Sequence, residues 1–129
     1  MGRQQAINPP SVPPGDRPYS LSIRFGDTLY TAGLVGMDMT TGTPVGDDFA
    51  AQVRQAMENL KLVLESAGSS LDRVLTTTCY ITDINRWGEM NRVYFEYFPS
   101  DKRPARATVQ VGLVPPYQFE IQAIAYVGD

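Results

Sequence analysis

Two side chains near the end of the chain are of types that can do chemistry: Arg106 in "RPARATVQVGL" and Glu120 in "FEIQAIAYV". A guanidinium is permanently charged and can donate two parallel hydrogen bonds to a carboxylate, and a glutamate can orient or deprotonate a water molecule. Both stretches read as β-strands. Alternation puts Arg106, Thr108 and Gln110 on one face of the first, with Ala105, Ala107, Val109 and Val111 on the other. In the second, Glu120 and Gln122 share a face. If the turn between them keeps the even positions together, Arg106 and Glu120 meet on a common surface as diagonal neighbours. Taken alone, such a pair is best read as a cross-strand ion pair that serves solubility and protects an edge.

Composition narrows the chemistry. The 129 residues contain no histidine, which excludes Ser-His-Asp and Cys-His catalytic units and histidine metal sites. The single cysteine, Cys79, excludes an intrachain disulfide and multi-cysteine metal clusters. Its place in "VLTTTCYIT" makes it a buried packing residue, with no neighbour there to lower its pKa. Eleven basic and 14 acidic residues give a net charge of −3, without the basic cluster that nucleic-acid binding requires. Apolar runs fall far short of a membrane span of roughly 18 residues. The opening "MGRQQA" has neither a signal-peptide core nor the Ser/Thr of a myristoylation motif. The expectation is one cytoplasmic domain over residues 1–129, of a size that buries about two thirds of the surface exposed by its unfolded chain.

The elements that must position the two side chains follow from periodicity. Residues 1–18, with "NPPSVPPGDRP", read as an extended, mostly irregular arm. "YSLSIRF", "GD" and "TLYTAGLVG" read as a hairpin, followed by turn-rich "MDMTTGTPVG". From Asp48 to Ala67, Phe49, Val53, Ala56, Leu60, Val63, Leu64 and Ala67 recur at steps of three and four, predicting a helix capped by Asp47 or Asp48 and closed by Gly68. "RVLTTTCYITD" reads as a strand with Leu75, Thr77, Cys79 and Ile81 on its buried face. A second helix carries Trp87, Met90, Tyr94 and Tyr97 or Phe98, and Pro99 ends it. The order β-β-α-β-α-β-β predicts an α+β fold, one sheet with both helices on one face. The far face is left with Ala32, Leu34, Val109 or Thr108, Ile124 and Tyr126, which a second subunit would bury. A homo-oligomer is expected, with a solvated sheet face as the alternative.

"RPARATVQVGL" followed by "FEIQAIAYV", together with "RPYS", "LYTAGLVG" and "MNRVYFEYF", resembles the Rid (YjgF-type) family of enamine/imine deaminases over nearly the whole chain. The resemblance implies a chorismate-mutase-like α+β fold with a mixed sheet, a homotrimer with active sites in clefts between subunits, and no cofactor or metal. It implies that Arg106 grips the substrate carboxylate and Glu120 positions or activates water. Tyr19, Ala32, Gly33, Asn91 and Thr108 would line the substrate. Ala32 stands where many members have serine, Thr108 where imine hydrolysers often have cysteine, Gln110 where glutamate is frequent, and Arg17 where glycine usually precedes Pro-Tyr. The Leu113 to Gln118 turn is about one residue short. Three functions fit: hydrolysis of 2-iminopropanoate and 2-iminobutanoate to 2-oxo acids and ammonia, deamination of another enamine such as 2-aminomuconate, or non-catalytic carboxylate binding or chaperone-like activity.

Overall fold

The computed structural model describes residues 2–128. Within the proline-rich arm, strand β1 (Gln5–Ile7) pairs antiparallel with β2 (Ser22–Phe25), and so forms the edge of the main sheet. The Gly26-Asp27 pair turns the chain into β3 (Thr28–Thr31), with Gly26 at φ 62°, the left-handed conformation that favours glycine. Short strands β4 (Leu34–Val35), β5 (Met37–Asp38) and β6 (Thr43–Pro44) follow, the last two as a separate hairpin. Then come α1 (Phe49–Ser66), β7 (Val74–Ile81), α2 (Trp87–Tyr97), β8 (Ala105–Gln110) and β9 (Phe119–Tyr126). The sheet order is β1-β2-β3-β9-β7-β8, with β4 also on β9. Only β7 and β8 run parallel, joined by α2, so the fold is α+β with a mixed sheet. None of the described helices is long and apolar enough to cross a membrane.

The long elements lie where periodicity put them, and α1 shows why. Asp48 caps it by accepting a hydrogen bond from the Ala51 N–H at 2.9 Å, and Gly68 follows it with φ +83°. Phe49, Val53, Ala56, Leu60, Val63 and Leu64 are buried in one core with Leu29, Cys79, Phe119 and Ile121. β1, β5 and β6 were not anticipated, because prolines and turn residues interrupt any two-residue alternation there, whereas β4 lies within the strand expected over "TLYTAGLVG".

Two expected faces are reversed, each by one extra residue in a strand. β7 pairs Val74 with Ala125 but Thr76 with Ile124, a bulge that turns Val74 inward (8% exposed) and leaves Leu75, expected inside, 52% exposed. Tyr30 pairs with Ile124 and Leu34 with Ile121, so the stretch through Ala32 and Gly33 also carries one residue more than β9 opposite it. Leu34 therefore points to the helices and is buried, not exposed on the far face, and Ala32 packs at the core's margin. Thr108, offered as an alternative to Val109 on that face, shares the helix side with Cys79, its partner across β7 and β8. Tyr30, Val109 and Tyr126 remain there as exposed apolar groups beside Ile124.

Gln52 on α1 holds the irregular segments in place. It is fully buried, donates to the carbonyls of Gly46 (2.8 Å) and Pro116 (3.1 Å), and accepts from the Gln118 N–H (2.8 Å). It also sets a steric limit, since a Cβ on Gly36 would come within 2.6 Å of the Gln52 backbone. Replacing Gln52 by leucine strands three backbone groups, each worth about 1–3 kcal/mol when unpaired and dry. Gln52→Leu should lower stability in a urea melt by about 3 kcal/mol. An unchanged midpoint would show that these loops are held by other means.

Candidate active site

Arg106 projects from edge strand β8 toward α2. Its register partner Thr77 is on the buried side of β7, so Arg106 faces the helices as well. There its Nη1 donates to Asn91 Oδ1 at 2.7 Å. The guanidinium carbon lies 4.7 Å from the centre of the Tyr94 ring and 5.9 Å from that of Trp87, distances at which a cation is attracted to an aromatic face. Tyr94 is fixed in turn by a 2.8 Å hydrogen bond with the Thr77 hydroxyl. Among the described residues no carboxylate oxygen lies within the 4.0 Å of an ion pair from Arg106. Two positions along β8, the Thr108 hydroxyl is buried with no hydrogen-bond partner. The result is a half-buried cation, oriented but not neutralised, beside an unused hydroxyl. Across β7 from Thr108 is Cys79, whose thiol burial pushes up to about 12, so it is no nucleophile.

Glu120 sits elsewhere. β9 places it opposite Val35 on one side and Tyr80 on the other. Its carboxylate lies over Gly33, where an added Cβ would come within 2.7 Å of Glu120 Cδ. Gly33 also lines a cavity shared with Tyr19, which is exposed, and the Ala32 N–H is bound to the Leu21 carbonyl at 2.9 Å. Glycine at 33 thus leaves the space that the carboxylate occupies, a constraint on size rather than on backbone angle.

The common surface expected for Arg106 and Glu120 does not exist within one chain. It presumed that β8 and β9 are neighbours, yet β7 lies between them. Arg106 is level with Thr77, and Thr77 with Ala123, which is buried on the helix side; Glu120, an odd number of residues away on β9, must point to the opposite side. The cross-strand ion pair falls with it. The chain instead carries two groups: Arg106, Asn91 and Thr108 beside α2, and Tyr19, Gly33 and Glu120 by the arm, with Ala32 adjoining. Trp87 and Tyr94 were read only as an apolar stripe. With Asn91 they stand at i, i+4 and i+7, one helical ridge, and that spacing was the signal that they share the Arg106 surface.

The profile of the family described as endoribonuclease L-PSP matches residues 11–127. A RutC family protein of Pyrococcus horikoshii is 44% identical over 110 residues, covering 84% of this chain and 86% of that protein. The 2-iminobutanoate/2-iminopropanoate deaminase of Homo sapiens is 34% identical over 126 residues, 97% of this chain and 91% of that protein. Among solved structures, the Rid family protein YyfA of Yersinia pestis superposes with a TM-score of 0.89 at 36% identity, covering 97% of this chain and all of that one. TdcF of E. coli, solved with bound serine, gives 0.85 at 30% identity over 96% of this chain and 99% of its own.

Burial pushes the Glu120 carboxyl above its ordinary value of 4.5. The folded chain therefore holds this proton more tightly than the unfolded one, a contribution to stability that is complete below the unfolded pKa and lost as pH rises through the folded value. Glu120→Gln keeps the shape and removes the titration. In urea melts between about pH 4 and pH 8 the variant should gain on the wild type as pH rises, the two converging at the acid end. Parallel profiles would mean that Glu120 is solvated.

Proposed function

The chain belongs to the Rid (YjgF-type) family, and we propose that it hydrolyses reactive enamine and imine intermediates, of the 2-iminopropanoate and 2-iminobutanoate kind, to 2-oxo acids and ammonia. The observation that carries this reading is the Arg106 guanidinium, held by Asn91 and two aromatic rings and left without a counter-ion among the described residues. A small carboxylate is its natural complement. In this reading the site is assembled between two copies of the chain, Arg106, Asn91 and Thr108 from one and Tyr19, Gly33 and Glu120 from the next. The exposed apolar groups on the far sheet face, Tyr30, Val109 and Tyr126, support such an assembly, and we take it to be a trimer.

The chemistry asks little more of the protein. An imine carbon is already electrophilic. Water adds to it through oxygen while a proton passes to nitrogen, and the resulting carbinolamine releases ammonia as its C–N bond breaks and the C=O bond forms. Arg106 orients the substrate through its carboxylate. Glu120 accepts the proton of the attacking water and returns it to the leaving nitrogen, a role that suits a carboxyl whose pKa burial moves toward neutrality. Acidic net charge and the want of histidine weigh for this small-molecule reading over the RNA cleavage in the family profile's description.

The test generates 2-iminobutanoate in place with an amino-acid oxidase and follows its decay. Arg106→Ala should reduce kcat/KM by about 100-fold, the loss expected for a pair of charge-assisted hydrogen bonds. Gly33→Ala, which pushes the Glu120 carboxylate aside, should reduce it roughly tenfold or more. The mass of the wild type in solution should be three times that of the chain. Decay unaffected by the wild-type protein would overturn the deaminase reading, and binding of 2-oxo acids without turnover would replace it with a carboxylate-binding one.

A further inference from the structure

Beside the arm, the segments around Val12–Leu21 and Gly33–Gly42 line a half-open cavity of about 300 Å³ whose wall includes Tyr19 and Gly33, a volume at the small end of ligand sites. The wall is largely apolar, with Leu21, Leu34, Met37 and Met39. Its polar side chains are mostly engaged: Asn59 donates to the Val35 and Met37 carbonyls, Thr40 bonds Asp38, and Thr41 bonds Thr43. Besides the exposed Tyr19 hydroxyl, the exception is Arg17. It is half-buried, its Nη1 makes one long hydrogen bond to the Pro13 carbonyl (3.3 Å), and its Nε is sealed from solvent without a partner. Asp16, the other charged residue in the wall, is exposed, and no carboxylate of the described residues pairs with Arg17.

Nε is closed to a ligand as it is to water, but the Nη groups of this half-buried guanidinium carry only that one long bond and have no carboxylate partner among the described residues. An apolar pocket with one arginine suits a short hydrocarbon chain that ends in an anion. The chain carries a net charge of −3, so attraction for a doubly acidic molecule must be local. We propose that this cavity takes the side chain of the substrate and that Arg17 grips a second, distal carboxylate there, making imines of dicarboxylic amino acids the preferred substrates. The inference rests on the deaminase reading for its reaction, but its recognition step can be measured without turnover. Two arginines then read the two ends of one molecule, Arg106 of the neighbouring copy the carboxylate next to the imine and Arg17 the one beyond it, with Tyr19 and Gly33 shared by the cavity and the Glu120 group.

The experiment is calorimetric titration of the full chain with 2-oxoglutarate and 2-oxobutanoate, stable acids that differ in the distal carboxylate. The wild type should bind 2-oxoglutarate at least tenfold more tightly. Arg17→Gln should bring the two affinities within about twofold by weakening 2-oxoglutarate alone, and Arg17→Lys should keep part of the preference. Unchanged 2-oxobutanoate binding shows that the variants are folded. Equal affinities in the wild type, a preference that survives Arg17→Gln, or binding of neither acid would overturn the proposal. Imine decay measured alongside separates the two claims: no turnover with an Arg17-dependent preference rejects the deaminase and keeps the subsite. Turnover of 2-iminobutanoate without such a preference does the reverse.

Discussion

The proposed function depends on a cation that folding orients but does not neutralise. Arginines are usually either solvated or paired, because a charge withdrawn from water needs compensation. Arg106 is half-withdrawn, and its compensation is partial: an amide oxygen at 2.7 Å and the faces of two rings. These partners fix the direction of the fork without cancelling its charge, which a carboxylate of the protein would do. α2 is built for this. Its inner side contributes Met90 and Phe98, beyond its end, to the core, while the ridge Trp87, Asn91 and Tyr94 leans over β8, and the Thr77 hydroxyl ties Tyr94 back to the sheet.

The sheet imposes the second constraint. Side chains on one strand alternate between faces, so no local adjustment moves Glu120 to the Arg106 side; only a change of register would, and that would expose Ile121 and Ala123. One chain can therefore offer a carboxylate grip or a proton carrier to a given molecule, but not both. A second copy removes the conflict without disturbing either core. In the proposed assembly the apolar far face and the division of the site would be one fact, since the contact that buried Tyr30, Val109 and Tyr126 would also bring unlike groups of neighbouring chains together.

How much of this the sequence discloses depends on parity. Helix α1 was legible nearly to the residue because its apolar spacing, its Asp48 cap and the closing Gly68 all agree, and nothing tertiary contradicts them. Strand faces were legible only until the first bulge. One extra residue after Val74 and another near Gly33 reverse the assignments of Leu75 and Leu34, and a bulge leaves no mark in composition. The larger failure was topological. "RPARATVQVGL" and "FEIQAIAYV" follow each other in sequence and look like a hairpin, but the parallel pairing of β7 and β8 slots β7 between them. Resemblance to the Rid family supplied residue types that local periodicity could not connect, and the fold divides them into two groups.

The arm shows how such a scaffold can change its substrate without changing its reaction. With no core of its own beyond Val12 and Leu21, it is held by β1 on β2 and by the Asn8 side chain accepting from the Leu21 N–H at 2.9 Å. These anchors lie at its two ends. The stretch between them, Pro13 to Tyr19, is therefore free to vary in side chain at little cost to folding, while its prolines limit how far the backbone can wander. A charge placed there, as at Arg17, alters what the cavity attracts and leaves Arg106 and its helix untouched. On the proposed reading Arg17 acts from the pinned loop and Arg106 and Glu120 from packed strands, with Tyr19 and Gly33 where the two meet.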